Sequence, residues 1–144
     1  MKQIDKQDYS ISCPADWEMQ TNKPPTEFIV LSPLNGAEDD FADNFNLLKQ
    51  DLTGRNINLL QYDSVSEADI TNTLGANSIL QSKEENGHHS IIYKGALKGR
   101  NLKWKQLYFM KNEIAYVLTY TAEEKNYDKY SDIAEAFFNS FKLK

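Results

Sequence analysis

Four groups of side chains in this chain are of a type and spacing that could do chemistry. Glu38, Asp39, Asp40 and Asp43, with Asn44 beside them, gather oxygen donors in one loop, the donor type a hard cation such as Ca²⁺ requires. Their spacing lacks the alternating ligands and closing glutamate of an EF-hand loop. The favoured reading is a solvated loop in which Asp43 and Asn44 bond the local backbone. His88 and His89 form the second group. Neighbours on a strand point to opposite faces, so the pair cannot chelate one metal through both rings. They directly follow an Asn86-Gly87 hairpin signal, and an exposed or edge pair is expected there. Cys13 is the third. A nucleophilic thiol needs a base and an electropositive setting. The chain has only those two histidines to offer, so a buried, inert thiol is expected.

The fourth group is basic. Lys94, Lys98, Arg100, Lys103, Lys105 and Lys111 fall in a stretch without a single Asp or Glu. Lys103 and Lys105 flank Trp104 and share one face of a strand, with Lys94, Lys98 and Arg100 on the neighbouring strand and turn. Such a stripe could dock an acidic protein surface or anionic lipid heads. The plainer reading is a solvated sheet face whose lysines discourage edge pairing. Lys94, Lys98, Arg100, Lys103, Trp104 and Lys105 are therefore the candidate binding residues. The strand itself alternates unevenly. Leu102, Trp104, Gln106, Tyr108 and Met110 make one face; Lys103, Lys105, Leu107 and Phe109 make the other, which passes from charged to apolar. A sheet face covered only at one end would leave a groove. No Gly-rich phosphate loop, nucleophile elbow, HExxH or CxxC occurs. No catalytic residue, cofactor or metal is expected, and an enzyme is the weaker class. Were there an unrecognised active site, Asp43, His88 and Cys13 would be its first members.

The elements that must position these groups follow from the pattern. Tyr9–Ser12 alternates as a short strand stopped by Pro14, and Trp17 is expected as a core anchor. Lys23-Pro24-Pro25 forbids helix. Glu27–Leu31 is a second strand, closed by Pro33 and Asn35-Gly36, and Phe45–Leu52 a third. A helix is predicted between Asn58 and Gly75. Its start is open between an Asn58/Gln61 capping pair and a Ser64/Glu67 capping box, the latter the better by type. Ile79–Glu85, His89–Lys98, Leu102–Met110 and Ile114–Thr121 are four strands on short connections, predicting an antiparallel meander. From Asn126 onward, Tyr127, Tyr130, Ile133, Ala134, Phe137, Phe138 and Phe141 recur at helical spacing, so a final helix must lay one face on a sheet.

Composition bounds the rest. The 144 residues suit one domain over 1–144, long enough to bury a core without disulfides, and the single cysteine allows none internally. A formal net charge of −5 argues against bulk nucleic-acid binding. No apolar run could span a bilayer. The opening Met1-Lys2-Gln3-Ile4-Asp5 has no apolar signal region, which reads as cytoplasmic; a cell-envelope or periplasmic location would follow if an export segment had been removed.

Several stretches together resemble a known superfamily. Tyr9-Ser10-Ile11, Pro14 and Trp17 resemble the opening of PsbP-like domains, and Asp43-Asn44-Phe45-Asn46 resembles the start of one of their strands. Tyr116–Ala122 resembles their last strand, and Tyr127, Tyr130 and Ser140-Phe141 resemble their final helix. That superfamily takes in the photosystem protein PsbP, Mog-type Ran-binding proteins and DcrB-type bacterial envelope proteins. The resemblance implies an α+β fold in which an antiparallel sheet of about six or seven strands has helices packed on its faces. It also implies a protein that docks on other proteins, with no catalytic site. The expected function is a non-enzymatic interaction, assembly or chaperone-type module whose partner is a protein with an acidic surface, with homodimerisation open. The alternative is a small-ligand or lipid-binding envelope protein that uses space between the sheet and the C-terminal helix.

Overall fold

The computed structural model describes residues 1–21, 24–34 and 41–144. The chain opens with β1 (Lys2–Asp5) and β2 (Tyr9–Cys13), followed by β3 (Glu18–Thr21), β4 (Thr26–Leu31) and β5 (Asn44–Asp51). Helix α1 (Leu59–Leu74) leads into β6 (Ile79–Glu85), β7 (His88–Leu97), β8 (Arg100–Lys111) and β9 (Ile114–Glu123). A 3₁₀ segment (Glu124–Tyr130), α2 (Ser131–Ser140) and β10 (Lys142–Leu143) close it. One antiparallel sheet has the order β3-β4-β5-β9-β8-β7-β6, and a smaller one the order β1-β2-β10. The predicted meander is the run β6-β7-β8-β9. The fold is α+β, with helices on both faces of the large sheet.

Alternation along the long strands divides the buried side chains between two faces. Phe45, Leu47, Leu107, Leu118 and Tyr120 point toward α2 and β2, where they meet Tyr9, Ile11, Phe137 and Phe138. Phe45 is sandwiched between Trp17 at 4.9 Å and Phe137 at 4.7 Å, both nearly parallel. Trp17 is thus the core anchor its position promised, and the rings of Trp17, Phe45, Phe137 and Phe138 pack between the sheet and the C-terminal helix. On the opposite face Ile91, Tyr93, Leu102, Trp104, Tyr108 and Val117 lie under α1.

Each turn has a local cause. Asn86-Gly87 and Lys98-Gly99 both have positive φ at both residues, the geometry of two-residue hairpins that follows the strand twist. Helix α1 begins at Asn58, whose side chain accepts from the Gln61 amide while the Gln61 side chain accepts from the Asn58 amide. The favoured Ser64/Glu67 box is therefore corrected: Ser64 lies inside the helix, and its hydroxyl donates to the Leu60 carbonyl. The final helix is also modified, since its first turn is 3₁₀ from Glu124 and only Ser131–Ser140 is α-helical. The face beside Lys103–Phe109 is largely covered: Leu107 and Trp104 are buried, and Phe109, half-buried, packs on Phe141 at 4.8 Å. Strands β1, β3 and β10 had no counterpart in the sequence pattern.

Candidate functional site

The basic residues separate when placed on the sheet. Lys94 and Lys103 are registered opposite each other, and Lys105 lies along the same face, toward α2. Each is engaged there. Lys94 reaches Glu124 at 3.1 Å, the Lys103 ammonium lies 4.3 Å from the Tyr127 ring centre, and Lys105 pairs with Glu135 at 2.5 Å and covers Phe138. Arg100 approaches Glu123 at 3.8 Å and lies over Phe41. Trp104 points the other way, stacked on Tyr93 at 4.8 Å beneath α1. Lys98 sits in the β7–β8 turn, exposed, and enters no ion pair among the described residues.

That hairpin end is grooved. Lys98–Asn101 face Glu123–Lys125 across a depression of about 670 Å³. A second, of about 400 Å³, lies between Gly75–Ser78 and Lys94–Ala96 and shares Asn101 and Glu124 with the first. A third, about 310 Å³ and mainly apolar, is lined by Ile70, Leu74, Leu97 and Trp104. Helix α1 comes so close here that a Cβ on Gly95 would stand 2.9–3.2 Å from Leu74.

The other candidates are placed as follows. Cys13 is fully buried, and burial pushes its thiol up to about 12, so it holds its proton at neutral pH. Asp43 is buried at the head of β5, where its carboxylate accepts from the Glu123 amide and its carbonyl from the Ser32 amide. Asn44 donates to the Ala42 carbonyl. Glu38, Asp39 and Asp40 lie outside the described residues. The histidines do face opposite ways, but the expectation of an exposed pair is corrected. His88 stacks on Phe109 at 4.7 Å, and burial lowers its imidazole pKa. His89 is only 8% exposed and faces α1.

There His89 meets Asp63, which the sequence reading passed over, and Glu67, which it took only for a capping residue. Asp63 and Glu67 stand one turn apart on the inner side of α1. His89 Nε2 lies 3.2 Å from Asp63 Oδ2, 3.8 Å from Glu67 Oε2 and 2.8 Å from the Ser82 hydroxyl, which donates to Glu67 at 3.0 Å. Asp63 is the one residue α1 buries fully, and its Oδ1 has no hydrogen-bond partner among the described residues. Burial, joined by the neighbouring Glu67 carboxylate, raises its carboxyl well above the usual carboxylate range. Tyr62 and Tyr108 wall the cluster, 5.7 Å apart edge to face, with Tyr108 donating to Gln106 at 2.6 Å. One imidazole and two carboxylates in a half-shielded setting can hold a divalent ion or pass a proton. A signal was available: the inner stripe of α1 is apolar at its ends, Leu59, Tyr62, Ile70 and Leu74, yet polar at Asp63, Ser66 and Glu67.

No protein-family model matches the chain, and no curated protein does. Solved structures do match. The solution structure of cyanobacterial PsbP (CyanoP) from Synechocystis sp. PCC 6803 superposes with a TM-score of 0.68 at 11% identity, covering 99% of this chain and 92% of that one. LpqN of Mycobacterium tuberculosis, described as involved in cell envelope biogenesis, gives 0.66 at 12% identity over 94% of this chain and 83% of its own. PA94 of Pseudomonas aeruginosa gives 0.62 at 14%, with coverage of 94% and 91%. The chain has the PsbP-like fold. At these identities the likeness is one of fold.

Proposed function

We propose that residues 1–144 form a single non-enzymatic docking module that engages an acidic protein surface through the β7–β8 hairpin end. The observation that carries this reading is the clustering there of three adjoining grooves around Leu97, 40% exposed, with Lys98 and Lys125 outside any ion pair among the described residues. An apolar groove beside two lysines outside any ion pair among the described residues, Lys98 and Lys125, suits an acidic partner carrying an apolar anchor. The PsbP-like fold supports the reading, since proteins of that fold include one described as acting in envelope biogenesis. Of the six basic-stripe residues, Lys98, Arg100 and Lys94 belong to this surface, while Trp104 lines its apolar groove. Lys103 and Lys105 lie on the α2 face and act chiefly within the fold.

The test is a quantitative co-purification with wild type, Leu97→Asp/Lys98→Glu and Lys103→Glu/Lys105→Glu. The module reading expects one stoichiometric partner, released by salt, lost with the hairpin-end pair and retained with the other. A partner set indifferent to Leu97 and Lys98 would overturn it.

A further inference from the structure

The strongest unabsorbed feature is the cluster under α1. A helix that packs on a sheet normally buries an apolar stripe. Here the position most deeply buried is an aspartate, with a second carboxylate one turn away on the same face. Two carboxylates this close repel, and a buried oxygen without a partner is unfavourable. A cation or a proton between them would relieve this, and His89 brings an imidazole nitrogen to the same point.

We infer that Asp63, Glu67 and His89 form a binding site for a first-row divalent transition ion such as Zn²⁺, with a fourth position left for water. Three observations carry it independently of one another. The ligand atoms all lie within 4.8 Å of each other, and the 3.2 and 3.8 Å separations from His89 Nε2 bracket the spacing of about 3.4 Å that tetrahedral bonds of about 2.1 Å impose. Asp63 is 4% exposed at its side chain, and its Oδ1 has no hydrogen-bond partner among the described residues, an acceptor that a bidentate Asp63 would bring to the ion beside Oδ2. Glu67 is 27% exposed at its side chain and gives the ion a path from solvent, while Asp63 and His89 form the shielded floor. The imidazole selects against Mg²⁺ and Ca²⁺, which take all-oxygen shells. Ser82, now 2.8 Å from Nε2, would give up that contact and keep Glu67 oriented from outside the coordination shell. The ion would tie α1 to β7, adding a clamp to a helix with little apolar grip.

Zn²⁺ is titrated by calorimetry into the metal-stripped full chain, with thermal unfolding followed in parallel and X-ray absorption read on the loaded protein. One Zn²⁺ per chain is expected, with a melting-temperature rise on the order of 5 °C at saturating metal. The absorption spectrum should show imidazole and oxygen scatterers and no sulfur. Asp63→Asn and His89→Gln should each lower affinity by at least 100-fold, and His88→Ala should leave it unchanged. Should His89→Gln fail to fold, Glu67→Gln, at a half-exposed site, carries the same test with an expected loss of at least 10-fold. The inference is overturned by the absence of saturable one-to-one binding, by binding that survives Asp63→Asn and Glu67→Gln, or by Ca²⁺ displacing Zn²⁺ at equal concentration.

Discussion

Asp8 shows how a single residue sets a pH response in this fold. Burial alone would raise its carboxyl. Hydrogen bonds from Lys49 at 2.5 Å and from the Tyr116 hydroxyl at 2.9 Å outweigh that and hold it below the ordinary value. A carboxyl whose folded pKa is depressed contributes stability that is present above its unfolded pKa and lost as pH falls through the folded one. Asp8 also joins three elements: it precedes β2, Lys49 is on β5 and Tyr116 on β9. Denaturant unfolding of wild type and Asp8→Asn from pH 6 down to pH 3 should show the wild-type advantage shrinking below about pH 4. A constant difference across that range would mean Asp8 acts through shape alone. The α1 cluster obeys a different logic. In metal-free protein Asp63→Asn should be neutral or stabilising, because burial and the neighbouring Glu67 carboxylate already disfavour the charged form of this carboxyl. The same denaturant series checks this at neutral pH, and a loss above about 1 kcal/mol would show that the His89 contact at 3.2 Å outweighs that burial cost. Cys13 was legible as an inert residue because inertness needs only burial, whereas Asp43, read as part of a solvated loop bonding its local backbone, is buried and bonds the distant Glu123 amide. His89 was not legible, because its meaning depends on Asp63 and Glu67 on another element, and residue type alone cannot say which helix covers a strand.

At the scale of elements, the long strands were read correctly because their evidence is redundant. β7, β8 and β9 each run for ten or more residues rich in aromatic and aliphatic side chains, and their hairpins carry Asn86-Gly87 and Lys98-Gly99. The strands that went unseen, β1, β3 and β10, are edge strands of four, four and two residues. So short a run cannot show a period, and these pair only because tertiary contact brings a partner strand alongside. The start of α1 failed for a related reason. Both Asn58/Gln61 and Ser64/Glu67 satisfy the local capping rule. The choice is made by packing, since beginning at Asn58 lets Leu59 and Tyr62 reach the sheet. Asn58→Ala should therefore cost about 1 kcal/mol in thermal or urea unfolding, while Ser64→Ala should cost close to nothing or gain a few tenths. Equal losses at the two positions would place the helix start elsewhere.

Across the whole molecule the two faces of the large sheet are built on different principles. On the α2 side a ring stack runs from Trp17 through Phe45 to Phe137 and locks the small sheet, the large sheet and the helix together. On the α1 side the sheet supplies the buried aromatics, while the helix contributes half-buried Leu59, Tyr62, Ile70 and Leu74, keeps Leu60 and Val65 in solvent, and buries only Asp63. A face held by so little apolar area should open first, since local opening free energies follow buried apolar contact. In metal-free protein, native-state hydrogen exchange should find α1 opening as a unit at a lower free energy than β8 and β9, which sit mid-sheet with partners on both sides. Phe45→Ala should instead lower protection everywhere by about 3–5 kcal/mol, because that ring belongs to the shared core. Zn²⁺ then makes the comparison decisive. Protection should rise in α1 and β7 and stay flat in β9, because an ion bound by Asp63, Glu67 and His89 bridges only those two elements. If α1 already matched β9 without metal, the helix would be an integral wall of the core and its buried aspartate a structural residue. A clamp that closes α1 would also reshape the apolar groove between Ile70, Leu74, Leu97 and Trp104, which couples metal occupancy to the surface proposed for docking.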